Sequence, residues 1–378
     1  MTNQMQFLAV IPQGLDEEGC HELSQLGAQK VISNNRTISF EADFEGLYKI
    51  HLYARLPFRV FRQLARFQCD SPQSLYQKVK TACDWKLWLP PSRTFKVEAS
   101  GMTGGLNHSH FSALQVKNAL VDLQQEEWGR RSDINLIDPD LCFHLYMSRG
   151  NAVLSLATST KSLHRRGYRS AMGLAPIKEN LASGLILKTK WNGQVPLVDP
   201  LCGSGTFLIE AASMSLGRAP GLNHSFLFEK WIDFDRPLWS HEKEIAIKSQ
   251  LTQNKLPQII GCEENIDIAN QAEKNIISAG LESSIKIKNI DFTDLQLPEE
   301  KGILLCNPPY GKRIGEEKNL SNLYLKLGKF CKKNASGWNL WILSGNPKLT
   351  QFLKMKSKKR IPITNGGIDC RWLNYEIN

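Results

Sequence analysis

The chain of 378 residues has no Cys-x-x-Cys pair, although it carries nine cysteines. Cys20, Cys69, Cys83, Cys142, Cys202, Cys262, Cys306, Cys331 and Cys370 are scattered and odd in number, which argues against a thiolate zinc site and against a disulfide frame. Reduced thiols, and hence a cytoplasmic setting, are expected. No metal is expected either. His108 and His110 stand close together without an acidic or cysteine partner at ligand spacing, and a loop or helix-start role is the simpler reading. Long apolar runs are missing, so no membrane-spanning stretch is expected, and Met1 to Val10 lack the basic lead into an apolar stretch that marks a secretion signal. Acidic residues are in deficit. Against 47 lysines and arginines stand 37 aspartates and glutamates, a net charge of +10 with a pI near 9.1. That excess favours a polyanion, of which RNA is the economical candidate, unless the basic surface is simply indifferent.

Two nucleotide-binding signatures are also missing where the pattern invites them. Val195-Pro196-Leu197-Val198-Asp199 reads as a short buried strand, Pro200 to Thr206 as a glycine turn, and Phe207 to Leu216 as an apolar helix. A phosphate-binding loop needs Gly-Lys-Ser/Thr, but Gly205 is followed by Thr206-Phe207; a dinucleotide fingerprint needs a third glycine, but Leu208 stands there. ATPase and NAD readings weaken accordingly. Gly203 and Gly205 still allow close approach to a ligand, and free amides at the helix start favour an anionic or polar group. Carboxylates follow three successive strands: Asp199, Glu263 after Ile259 to Cys262, and Asp291 after Ile285 to Ile290. This arrangement suits S-adenosylmethionine, with Glu263 on the ribose diol and Asp291 toward the adenine amine.

A fourth apolar strand, Ile303 to Cys306, runs into Asn307-Pro308-Pro309-Tyr310-Gly311. Prolines fix their own φ and push the preceding residue out of the helical region, so Asn307 is held extended. Such a corner can accept hydrogen bonds from a planar amine while Tyr310 offers a stacking face; taken alone, it is also what any strand ending in a Pro-Pro turn would show. With Leu163-His164-Arg165-Arg166-Gly167-Tyr168-Arg169, Ala175 to Leu181 and the Asp199 to Glu210 run, it occurs in an order that resembles the THUMP-domain RNA guanine-N2 methyltransferases, the large-subunit rRNA enzymes of the RlmL type in particular. Four motifs in register, over most of the chain, carry the resemblance. One departure is Glu263 where an aspartate is expected.

The resemblance implies a fold and a function. A Rossmann-like, doubly wound α/β methyltransferase sheet over residues 161–378 would follow a ferredoxin-like domain (1–68) and a THUMP domain (69–160), both α/β and together gripping RNA. Residue pattern agrees: a β-α-β-β-α order up to a strand within Phe58 to Phe67, then helices and strands to Ala157, then strict alternation. S-adenosylmethionine would be held by Asp199, by Cys202-Gly203-Ser204-Gly205-Thr206, and by Glu263, Asp291 and Asn307. Asn307, Pro308, Pro309 and Tyr310 would form the catalytic corner, methylating the N2 amine of a guanine in 23S rRNA. The segment from Ala175-Pro176 into a helix Ile177 to Lys188 would roof the cofactor pocket.

His164, Arg165, Arg166 and Arg169 crowd the junction between two domains and are expected to meet phosphate, or else to form a solvated linker. Arg55, Arg59, Arg62 and Arg66 have helical spacing, but Pro57 divides them. Ser109 is a candidate cap for a helix Phe111 to Glu127. Residues 223–255 form a long insertion holding Trp231 and Trp239, placed either near the substrate mouth or over the sheet. A helix Leu349 to Met355 and a closing hairpin, Lys359 to Thr364 and Ile368 to Tyr375, complete the reading. The rivals are tRNA guanine-N2 methylation, adenine-N6 methylation of DNA, and a non-catalytic RNA-binding assembly factor.

Overall fold

The computed structural model describes residues 4–169, 177–250, 256–311 and 317–378. Its N-terminal half begins with β1 (Met5–Val10), α1 (Asp16–Gln25), β2 (Gln29–Ser33), β3 (Thr37–Ala42), α2 (Phe44–Tyr53) and β4 (Arg59–Gln68). Alternation in β1 buries Met5, Phe7 and Ala9 on one face. The Asp43 carboxylate accepts the Gly46 amide and so starts α2, which buries Leu47, Tyr48, Ile50 and Leu52. Next come α3 (Pro72–Lys80), α4 (Trp85–Trp88), β5 (Phe95–Met102), α5 (Ser109–Trp128), β6 (Leu141–Ser148) and β7 (Asn151–Ala157). Helix α5 starts earlier than its apolar spacing predicts. His108, not Ser109, is its cap, its Nδ1 accepting the Phe111 amide at 3.4 Å.

These strands form one sheet of seven in the order β2-β3-β1-β4-β7-β6-β5. Strand β4 pairs with β1 on one side and β7 on the other, so the expected boundary at 68 falls at the end of a strand shared by two units. The four spaced arginines do not share a face. Arg59 pairs with Glu98, Arg62 with Asp233, Arg55 turns inward, and Arg66 is exposed.

The C-terminal half holds α6 (Glu179–Thr189), β8 (Leu197–Asp199), α7 (Thr206–Ser215), α8 (Arg236–Gln250), β9 (Ile259–Cys262), α9 (Ile266–Ser278), β10 (Lys286–Lys288) and β11 (Ile303–Cys306). It continues with α10 (Glu317–Asn334), β12 (Asn339–Ser344), α11 (Pro347–Thr350), β13 (Lys359–Asn365) and β14 (Ile368–Glu376). The sheet order is β10-β9-β8-β11-β12-β14-β13; the first five strands are parallel and the closing hairpin is antiparallel. The doubly wound sheet is therefore present. Ala175 and Pro176 lie outside the described residues, and α6 begins after Ile177. The expected helix Leu349 to Met355 is replaced by α11 and a single 3-10 turn, Gln351–Leu353.

The insertion meets the N-terminal half, a placement that its sequence does not predict. Its described part, including α8, packs on α2: the Tyr48 ring lies 5.4 Å from Phe228 and 5.2 Å from Trp239, and the Asp235 amide donates to the Tyr48 hydroxyl. Arg62 pairs with Asp233 at 2.6 Å and lies over the rings of Trp88 and Trp231. Backbone bonds from Gly221 to Leu52 and from Leu227 to Thr158 fasten the halves further.

Candidate cofactor and substrate site

Strands β10, β9, β8 and β11 are adjacent and parallel, so their C-terminal ends open on one edge. Asp199 ends β8, Glu263 follows β9, Asp291 lies three residues past β10, and Asn307 follows β11. Neighbouring strands sit about 4.8 Å apart, so these four residues are spread over roughly 14 Å of edge. The sequence grouping of these side chains thus corresponds to one line of strand ends.

Between β8 and α7 the chain makes the glycine turn. Gly203 (φ 52°) and Gly205 (φ 79°) are both left-handed, and a Cβ on Gly203 would meet nothing within 4 Å, so this backbone faces open space. Gly205, which carries no side chain, caps α7. The Cys202 amide donates to the Cys262 carbonyl and the Gly205 amide to the Cys202 carbonyl, both at 2.9 Å, stitching the turn to β9. Asn275 holds the Ser204 carbonyl at 3.1 Å. Glu263 accepts the Gly203 amide at 3.2 Å with one oxygen and the Asn265 amide at 3.0 Å with the other. Asp291 accepts the Thr293 amide and hydroxyl, and that amide above all holds its carboxyl below the usual range.

Asp199 is 2% exposed and has the Leu201 amide as its hydrogen-bond donor, at 3.0 Å. Burial pushes its pKa up to about 8; the Leu201 amide opposes the rise and nearby Glu263 adds to it. A buried carboxylate in this state is stabilised by any cation that reaches it. Cys202, Cys262 and Cys306 are buried beside it, and burial raises all three thiols, so they fill space and are not thiolates.

At the end of β11, Pro308 is buried, Pro309 exposed, and Asn307 and Tyr310 half-buried. The Asn307 side-chain oxygen is inaccessible to water and has no hydrogen-bond partner among the described residues. Tyr310 is fixed at both ends. Its hydroxyl accepts from Asn365 Nδ2 at 2.9 Å, and its ring lies so close to Gly345 that a Cβ there would come within 3.0 Å of Cδ2. Burial pushes the phenol up to about 12, so it stays protonated.

The linker residues do not share one surface. Arg165 is exposed. His164 bonds Ser162 at 2.6 Å and meets the Phe58 ring edge-on; burial first, then Lys178 and the linker arginines, push its pKa down to about 4, leaving it neutral. Arg166, its side chain 6% exposed, donates to the carbonyls of Leu163 and Arg55. Arg169 pairs with Glu179 at 2.9 Å and donates to the Thr206 hydroxyl at 3.1 Å. Sequence reasoning assigned no role to Glu179, Glu210, Gly345 or Asn365, although Glu179 and Glu210 lie in two of the four motifs and Asn365 in the hairpin turn. Among the described residues, no group of three or more His, Cys, Asp or Glu is arranged to hold a metal.

Comparison with known proteins bears on this geometry. Residues 166–374 match the family described as RMKL-like, methyltransferase domain, residues 69–157 match THUMP domains, and residues 6–61 match the RlmL ferredoxin-like domain. A Synechocystis protein with the provisional name of an RNA methyltransferase is 38% identical over 98% of this chain and 96% of its own length. The ribosomal RNA large subunit methyltransferase K/L of Syntrophotalea carbinolica is 36% identical over all of this chain, which spans 54% of that protein. A crystal structure of a provisionally named methyltransferase, solved with S-adenosylhomocysteine, superposes with a TM-score of 0.90 at 28% identity, covering 100% of this chain and 99% of that one. The cofactor is S-adenosylmethionine. This chain's residues fit it: Gly203 opens a backbone cradle, α7 starts without a side-chain cap, and Asp199 is a buried carboxylate at the adjoining strand end.

Proposed function

Because the chain belongs to the RMKL-like methyltransferase family, with ferredoxin-like and THUMP domains ahead of the catalytic one, we propose that it methylates the exocyclic N2 amine of a guanine in 23S rRNA. The observation that carries the chemistry is the buried oxygen of Asn307, without a partner among the described residues, at the strand end beside the cofactor edge. A buried acceptor left open costs about 1–3 kcal/mol; ten other buried side-chain polar atoms share that state among the described residues, and Asn307 differs in standing at the strand end beside the cofactor turn, where a ligand donor can reach it. An aromatic amine is such a donor.

In this reading the bound cofactor supplies an electrophilic methyl group. Asp199, the turn Cys202 to Thr206, Glu263 and Asp291 would hold it, Asp199 at its ammonium, Glu263 at its ribose and Asp291 at its adenine, while Asn307 would border the same site and contribute little to its affinity. The Asn307 oxygen and the Pro308 carbonyl accept the two amine hydrogens, which turns the nitrogen lone pair away from the base plane and toward the cofactor edge. Pro309 holds the corner and Tyr310 stacks on the base. As the N–methyl bond forms, the cofactor's sulfur–methyl bond would break to leave a neutral thioether, and the methylated nitrogen, then cationic and strongly acidic, would lose its proton to water without a dedicated base. A base paired within a helix cannot reach this edge, so it is flipped out or already unpaired.

Arg165 is the linker residue open to phosphate, and the THUMP and ferredoxin-like sheet supplies the rest of the RNA grip in a cytoplasmic enzyme. The large-subunit assignment rests on the names of the K/L relatives. Methyl transfer from labelled S-adenosylmethionine into separate pools of unmodified 23S rRNA and tRNA, followed by nucleoside analysis, tests it. N2-methylguanosine in rRNA is the expected product. Label only in tRNA overturns the substrate; N6-methyladenosine overturns the base; no label, with cofactor bound, points to an assembly factor.

A further inference from the structure

Thr206 and Glu210 are four residues apart and so share one face of α7, the helix that begins at the glycine turn. That face is gripped from the linker. Arg169 donates through Nη2 to the Thr206 hydroxyl at 3.1 Å and to the Ile177 carbonyl, while its Nε pairs with Glu179 at 2.9 Å in the first turn of α6. One helical turn further on, Glu210 is 1% exposed and accepts the Tyr168 hydroxyl at 3.2 Å and the Ser183 hydroxyl at 2.7 Å. The guanidinium groups of Arg55 and Arg166 stand 3.9 Å from it. Arg55 in turn donates to the Ser213 and Arg218 carbonyls, at and beyond the end of α7.

We propose that Arg169 is a positioning residue for the cofactor turn: by holding Thr206 against Glu179 it fixes the first turn of α7, and it makes no contact with RNA. Gly205 has no side chain with which to cap the helix, so, beyond the bonds that tie Cys202, Gly203 and Ser204 to β9 and α9, the first turn of α7 is set by what anchors the residue after Gly205. Thr206, 3% exposed, is that anchor, and its hydroxyl also lies 3.5 Å from Ser204 Oγ. A planar guanidinium can satisfy a carboxylate, a carbonyl and a hydroxyl in fixed directions at once, which an ammonium on a flexible stem cannot. A residue of this kind acts on cofactor affinity, whereas a phosphate contact acts on RNA affinity. The inference rests on the cofactor assignment and is independent of which RNA is methylated.

The test uses the full chain and its Arg169→Gln, Arg169→Lys, Thr206→Val and Arg169→Gln/Thr206→Val variants. Calorimetry with S-adenosylhomocysteine gives cofactor affinity, filter binding to a 23S rRNA transcript gives RNA affinity, and KM for S-adenosylmethionine is read beside kcat. Arg169→Gln and Thr206→Val are each expected to weaken cofactor binding by about tenfold, the double variant no more than either, with RNA affinity within about twofold. Arg169→Lys is expected to recover little. Loss of RNA affinity with cofactor affinity unchanged overturns the proposal, as does a double variant showing the full product of the two effects. If Arg169→Gln does not fold, Thr206→Val decides alone, since it only exchanges a hydroxyl for a methyl of similar size: unchanged cofactor affinity there overturns the proposal. Binding by the wild-type chain, measured first, separates a failed cofactor assignment, which would sink both readings, from a failed role for Arg169.

Discussion

Asn307 and Asp199 both hold a polar group out of water with too few partners, yet they answer different needs. The Asn307 oxygen is neutral and waits for a donor, so Asn307→Ala should cut kcat by about 100-fold or more while the affinity for S-adenosylhomocysteine, measured by calorimetry, stays within a few fold. Unaltered turnover would remove Asn307 from the mechanism. Asp199 responds to pH. Its folded pKa, pushed up to about 8, lies above its unfolded value of 3.8. The folded state therefore binds the extra proton, and stability present below pH 3.8 is lost as pH rises toward 8. Asp199→Asn should accordingly raise the thermal midpoint of the cofactor-free protein at pH 8, by the equivalent of about 1–3 kcal/mol, and leave it unchanged near pH 4. The same variant should bind cofactor more weakly, because the carboxylate that would meet the ammonium is gone. Both residues were legible in the sequence, as each closes an apolar strand next to a glycine or proline turn. The protonation of Asp199 was not, because it comes from burial that several distant elements create together.

Elements explain why Tyr310 can act as a stacking platform. Its ring is pinned by Gly345, just past β12, and by Asn365 at the end of β13, so the closing hairpin sets the floor of the base site. Gly345→Ala would drive a methyl group into the ring; the expected result is a rise in KM for RNA of about tenfold, near the lower end of what losing one base stack costs, with cofactor affinity kept. Steady-state kinetics at saturating cofactor read this directly, and an unchanged KM for RNA would dismiss the hairpin as a floor. A Tyr310→Phe/Asn365→Ala pair should be no worse than either single variant if Asn365 acts through the hydroxyl. The hairpin was legible as an Asn-Gly-Gly turn between two strands, but its contact with Tyr310 was not, since 55 residues separate the partners. Local chemistry also reset one helix. Asn346 caps the amides of Lys348 and Leu349, starting α11 earlier than the apolar pattern suggests, and Lys354 adopts φ 53°, ending the 3-10 turn that follows.

At the scale of the whole molecule the charge excess, the order of the three domains and the parallel sheet were legible, while the way the halves hold each other was not. The insertion carries Phe226, Phe228, Trp231 and Trp239, and nothing in their spacing says whether they face the substrate, the sheet or another domain. In the fold they meet Tyr48 and Trp88 of the N-terminal half, with Arg62 and Asp233 paired between them. Trp239, 4% exposed, is in ring contact with Tyr48, Phe226 and Phe228. Trp239→Ala should then cost about 3–5 kcal/mol at the joint, with the core of each sheet left intact. Scanning calorimetry with and without S-adenosylhomocysteine reads the consequence. The wild-type chain is expected to unfold in one transition that the ligand moves as a whole, because binding to one half stabilises everything that melts with it. In the Trp239→Ala variant that transition should split, and the ligand should raise only the part belonging to the methyltransferase sheet. A variant that still melts as one unit, and still shifts as one, would place the coupling in the Glu210 cluster and the linker instead of the insertion.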